Sequence, residues 1–105
     1  MITMRQVKED LREIRYYYAK QKEMEGASRT VGTSKITEKI ERYNEAVRRA
    51  PVRLYDLYVS LYVNNNTQLT VALDWDYSLD YIKKLNHRLC QFLINQLEGG
   101  ESGVG

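Results

Sequence analysis

The chain holds a single cysteine, Cys90, among its 105 residues, so it forms no disulfide within itself and has too few thiols for a zinc cluster. It has one proline, Pro51, and only two of its six glycines, Gly26 and Gly32, stand before residue 99. Helix breakers are therefore scarce over most of its length. No apolar run is long enough to span a bilayer, and Met1-Ile2-Thr3-Met4-Arg5 leads straight into charged sequence rather than a signal peptide. Both absences lead to the expectation of a cytoplasmic protein with no membrane partner. There is no internal repeat, glycine-rich phosphate loop, paired-carboxylate motif or metal-ligand spacing. Asp74, Asp76 and Asp80 imitate the start of a calcium loop, but the glycine at its sixth position is missing and Leu85 stands where its closing Glu belongs. His87 and Cys90 are three apart on one predicted helix, with no oxyanion site beside them, so neither catalysis nor a cofactor is expected. Strong charge of one sign is lacking too. The net charge of +2 permits nucleic-acid binding without demanding it.

What is present is helical periodicity. Hydrophobic residues make up 43% and charged residues 29%, an ordinary composition for a globular chain of one domain. Met4, Val7, Leu11, Ile14 and Tyr18 recur at three and four, which predicts a helix over residues 4–24 with one apolar stripe. Arg5, Lys8, Glu9, Asp10, Arg12, Glu13, Arg15, Lys20, Lys22 and Glu23 read as its solvated faces. The small and polar residues of 26–34 break the helix, and Thr33 or Ser34 suits an N-cap. Ile36, Ile40, Tyr43 and Val47 predict a second helix over 35–49, ending on Arg48 and Arg49 at the negative pole of its dipole. It pairs with the first as an antiparallel hairpin, or else the two assemble between subunits as a homodimer. Nine tyrosines point to a partly exposed aromatic surface. Tyr16, Tyr17 and Tyr18 are consecutive, so at least one faces outward.

Pro51 suits the first position of a third helix, which runs to about residue 63 with Leu54, Leu57, Tyr58, Leu61 and Tyr62 inward. Asn64, Asn65 and Asn66 predict a turn, because Asn tolerates left-handed backbone. Thr67 caps a short fourth helix over 68–75, with Val71, Ala72 and Trp75 toward the core. Asp76 and Tyr77 make a second tight connection, and Asp tolerates left-handed backbone better than most residues. Ser78 caps a fifth helix that ends near residue 97, with Ile82, Leu85, Leu89, Phe92 and Leu93 inward. The tail 99–105 has nothing to bury and reads as disordered.

Two short helices joined by a tight turn, the second longer and partly basic, form the pattern of a helix-turn-helix. The stretch TQLTVALDWDYS at 67–78, followed by LDYIKKLNHRLCQFL at 79–93, resembles the C-terminal half of phage transcriptional regulators of the ArpU and RinA type. It is similar in turn to region 4 of sigma factors. The resemblance covers about residues 52–97. Two positions depart from the pattern: Asp76 stands where relatives carry a turn glycine, and Asp80 where they tend to carry a base.

The expected fold is therefore all-α: an N-terminal helical hairpin over 1–50, a helix-turn-helix three-helix unit over 51–98 and a tail. The resemblance implies binding of double-stranded DNA in phage or prophage gene control, with helix 78–97 in the major groove and RNA polymerase as a further partner. Thr67 and Gln68 would brace the backbone. Ser78, Leu79, Asp80, Tyr81, Lys83, Lys84, His87 and Arg88 would face the DNA, with Asp80 able to accept from a cytosine amino group. Two other readings use the same parts: a small-terminase-like packaging or assembly protein, and a sigma-like adaptor that binds protein only.

Overall fold

The structure is a computed structural model and describes residues 2–23 and 34–99. Among these there are five α-helices and no strand: α1 Met4–Glu23, α2 Ser34–Val47, α3 Val52–Tyr58, α4 Gln68–Trp75 and α5 Leu79–Ile94. α3 continues as a π-helical turn, Val59–Val63, and α5 as another, Asn95–Gly99. The expected break near 26–33 and the tail beyond Gly99 lie outside the described residues. Gly99 itself, assigned to the tail on sequence, stands in the second π-turn.

α1 forms where its stripe predicted. Val7, Leu11 and Ile14 are buried, Met4 and Tyr18 half-buried, and of the three consecutive tyrosines Tyr16 points outward. The stripe meets α2, α5 and the π-turn after α3 within one chain. A single cluster of buried side chains draws on all five helices, so the segments 1–50 and 51–98 share a core.

Two charged residues of α1 leave the solvated face assigned to them. Asp10 is only 5% exposed. Its carboxylate accepts from the Tyr43 hydroxyl at 2.6 Å and from Gln6 Nε2 at 3.0 Å, and Lys39 Nζ lies 3.1 Å away, itself shared with Glu13 at 2.6 Å. A carboxylate loses its hydration on burial, and these donors replace it. Arg15 donates through Nε to Asn65 Oδ1 at 2.9 Å and through a terminal nitrogen to the Asn65 carbonyl at 3.3 Å; Asn65 Nδ2 donates back to the Arg15 carbonyl. α1 thus grips the turn between α3 and α4. The Tyr43–Asp10 and Arg15–Asn65 bonds cross 33 and 50 residues of sequence, which periodicity does not see.

α2 stops at Val47 rather than at residue 49. Arg49 and Ala50 bond back three residues, to the Ala46 and Val47 carbonyls, a tightening common at helix ends. Arg48 and Arg49 therefore lie in the turn past the helix, and Arg48 pairs with Glu45 at 3.3 Å. Pro51 precedes α3 as its cap, with ψ at 148°, instead of starting it. The chain then reaches Asn65 with φ at +60°, the left-handed residue the triple Asn predicted.

Burial also leaves a titration signature. The Cys90 thiol is pushed up from 9.0 to about 11 and the Tyr62 hydroxyl from 10.0 to about 12, in both cases chiefly by desolvation. Tyr58 is raised by burial, and Tyr43 by burial and then by its bond to Asp10. The folded chain holds protons that the unfolded chain releases from its ordinary values of 9.0 and 10.0 upward. These groups contribute stability that is complete below that range and is lost as pH rises through the folded values. The thermal midpoint is expected to fall steadily from about pH 9 upward, with a shallower fall in Tyr43→Phe. A midpoint that stays flat through that range contradicts the assignment.

Candidate nucleic-acid interface

α4 has eight residues, and hydrogen bonds close it at both ends. The Thr67 hydroxyl accepts from the Thr70 N–H at 3.1 Å, as an N-cap does. At the other end Asp76 takes φ +63° and ψ +45°. The Tyr77 N–H bonds the Ala72 carbonyl at 2.9 Å and the Asp76 N–H bonds Leu73 at 3.3 Å. That pair of bonds around one left-handed residue is a Schellman motif. Two residues later the Ser78 hydroxyl accepts from the Tyr81 N–H at 3.1 Å and opens α5. Asp80, in the first turn of α5, lies near the positive pole of that helix. Val71 and Ala72 of α4 are buried against Ile82, Leu85 and Leu89 of α5 in the shared core. Trp75, expected to face inward, is half-buried.

Outward, α5 presents Asp80, Lys83, Lys84, His87 and Arg88, all exposed, with Leu79 37% and Tyr81 36% exposed at its first turn. No carboxylate pairs with Lys83, Lys84 or Arg88 among the described residues. Thr67 is exposed and Gln68 half-buried at the start of α4. The predicted residues of α5 are thus exposed along that helix from its N-cap to Arg88, while Thr67 and Gln68 stand at the far end of α4 from the turn. The fold also gives Thr67 and Ser78 a capping duty on their hydroxyls. His87 and Cys90 diverge: the imidazole is exposed, whereas the thiol is buried and protonated at neutral pH.

Sequence reasoning passed over Arg53. Its guanidinium crosses from α3 to lie 5.6 Å from the Trp75 ring centre and 5.2 Å from that of Tyr77, and it donates to the Tyr77 hydroxyl. Tyr77 and Tyr81 pack ring against ring at 4.6 Å between centres. An open groove of about 600 Å³ beside this cluster is lined by Arg53, Tyr55, Asp56, Val59, Ser60, Trp75 and Tyr77. The one signal available in sequence was two aromatic residues four apart, Tyr77 and Tyr81; nothing tied them to position 53. No group of His, Cys, Asp or Glu among the described residues is arranged to hold a metal ion, and no described helix is long and apolar enough to cross a membrane.

No protein-family model matches the chain, and no curated protein or solved structure matches it either. The site's interpretation therefore rests on its own geometry.

The left-handed turn gives a direct check. A non-glycine residue there costs about 1–2 kcal/mol that glycine does not. Asp76→Gly is expected to hold or raise stability, by up to about 1 kcal/mol, and Asp76→Val to lower it by about 1–2 kcal/mol. Chemical denaturation of the three proteins measures both. If the glycine variant is the less stable, the Asp76 side chain makes a contact that outweighs the backbone strain.

Proposed function

We propose that this protein is a DNA-binding transcriptional regulator of phage type, with α4 and α5 acting as a helix-turn-helix and α5 as its recognition helix. One observation carries the reading. The exposed face of α5 holds Lys83, Lys84 and Arg88 without acidic partners, on a helix whose start is held by two successive caps and a left-handed turn. An unpaired cation keeps its full charge for a phosphate, and a rigid helix start keeps its side chains in register with base edges. In this reading Thr67 and Gln68 at the start of α4 brace the backbone. Ser78, Leu79, Asp80 and Tyr81 reach the groove at the start of α5, with His87 adding charge when protonated. The protein performs no chemistry and carries no cofactor. RNA polymerase and a second copy of the chain are its further partners.

A second reading draws on α4 itself. Leu69 is 55% and Leu73 73% exposed, four residues apart on one side of the helix. Exposed leucines at that spacing suit contact with another protein, as in an adaptor or a packaging component.

Titration against duplex DNA at several salt concentrations separates the two. Removing Lys83 and Lys84 together is expected to weaken binding to every sequence and to lower the salt slope by about two, at roughly 0.9 per phosphate contact. An unchanged slope in that variant favours the adaptor.

Asp80 supplies a test of sign. If it accepts from a base, Asp80→Ala weakens the specific site by about 1–3 kcal/mol. If it only repels phosphate, its loss strengthens binding to every sequence. We expect the first result, because Asp80 is exposed in the first turn of α5, the part of the helix that this reading places in the groove.

A further inference from the structure

Arg53 is an exposed cation in no ion pair; Asp56, three residues on in α3 and lining the same groove, acts on it only at a distance, and two aromatic rings hold it in place. Its guanidinium stands over Trp75 and Tyr77 and donates to the Tyr77 hydroxyl. None of the ion pairs among the described residues includes it. The distinction matters physically. A carboxylate partner would cancel the charge, whereas a ring face attracts the cation through its quadrupole and leaves the net charge intact. A guanidinium also has five N–H donors in a flat fork, so one bond to Tyr77 leaves the rest facing outward. The cation is fixed in position before any ligand arrives, which reduces the rotamer entropy lost on binding.

Its position continues a row. Tyr81, Lys84 and Arg88 are spaced at three and four, which sets them along one edge of α5. Tyr77 packs on Tyr81 at 4.6 Å, ahead of the first turn, and Arg53 lies against Tyr77. The order along this edge is Arg53, Tyr77, Tyr81, Lys84, Arg88: cations at the two ends and tyrosines between.

We infer that Arg53 contacts a phosphate of double-stranded DNA at the flank of the first turn of α5, and that Tyr77 is the residue that positions it. This rests on the DNA-binding reading above. It extends that reading to a helix, α3, outside the α4–α5 pair, and adds a fourth cation to Lys83, Lys84 and Arg88. The contact is to backbone and carries no sequence preference of its own.

The test is a salt titration of the full chain against a mixed-sequence DNA duplex, with Arg53→Ala, Arg53→Gln and Arg53→Lys alongside the parent. Arg53→Ala and Arg53→Gln are both expected to lower the slope of log affinity against log salt by about 0.9, one phosphate contact. Arg53→Lys is expected to keep the parent slope while binding more weakly, because it retains the charge and loses the fork. Tyr77→Phe keeps the ring and the arginine, so it too is expected to keep the slope and weaken binding. Thermal midpoints of the same variants separate a lost contact from a lost fold, and Gln keeps enough of the side-chain stem to serve if the Ala variant unfolds. The inference is overturned if Arg53→Gln keeps the parent slope, or if Arg53→Lys loses as much slope as Arg53→Gln. The Lys83 and Lys84 double variant tells the two levels apart. A slope lost there but kept in Arg53→Gln leaves DNA binding standing and removes Arg53 from it. A parent protein with no salt-dependent binding overturns both.

Discussion

A helix of eight residues does not persist in water by its own hydrogen bonds, because nucleation costs more than two turns return. α4 is that length, and everything at the candidate interface hangs from it. Its existence depends on how its ends are closed. Ahead of it Asn65 turns the chain in a left-handed conformation, and Thr67 caps the first N–H groups. Behind it Asp76, the only other left-handed non-glycine residue among those described, lets Tyr77 and Asp76 satisfy the last carbonyls. Each left-handed residue costs about 1–2 kcal/mol, and each cap returns about 1 kcal/mol. The caps therefore return no more than the two left-handed residues cost. Burial of Val71 and Ala72 against α5 is what tips the helix to stable.

That dependence runs back to the N-terminal half of the chain. Asn65 keeps its left-handed turn while bonded to Arg15 on both its side chain and its backbone. α1, which supplies Arg15, is fixed in turn through Asp10, buried with donors from Tyr43, Gln6 and Lys39. A buried carboxylate with partners is costly to disturb, about 3–5 kcal/mol when a partner is removed, even though a hydrophobic replacement of the whole group can be neutral. It also joins two helices: Tyr43 of α2 meets Asp10 of α1. Through Arg15 the turn that leads into α4 is bonded to a helix 50 positions earlier in the chain.

Helix identity and the two caps were legible in the sequence because each is a local matter. Thr67, Ser78, the triple Asn and the tight connection at Asp76 involve neighbours within four positions, and the structure has all of them. The inward positions of α5 followed from its period, and only Phe92 among them is less than buried. What escaped was every interaction that joins distant segments. Asp10 and Arg15 sit among like-looking charges on α1, and nothing in their spacing separates a solvated charge from one that another helix will cover. Arg53 escaped for the same reason: its partners, Trp75 and Tyr77, belong to another helix and its turn. The π-turn after Tyr58 also had no signal, since a single shift from four-residue to five-residue bonding leaves the apolar pattern of Leu54, Leu57 and Leu61 intact.

The electrostatics of the α5 face limit how the interface can work. Lys83, Lys84 and Arg88 are three cations, and Asp80 subtracts one charge from the same helix. Three phosphate contacts give a salt slope near about −2.7, and a fourth brings it to about −3.6, a drop in affinity on the order of 10² between 50 and 200 mM salt. Binding proteins with six to ten contacts lose about 10³ to 10⁵ over the same range. If α5 binds DNA as proposed, one copy of this chain would therefore have a weak non-specific grip. Two arrangements overcome that: direct contact with base edges from the residues at the start of α5, worth about 1–3 kcal/mol for each good pair, or two copies on adjacent half-sites, which doubles the slope. The stripe of α1 is already buried within its own chain. A second copy would have to use a surface still exposed, and the large apolar residues there include Leu69 and Leu73 on α4, Tyr16 on α1, and Val52 and Tyr55 on α3.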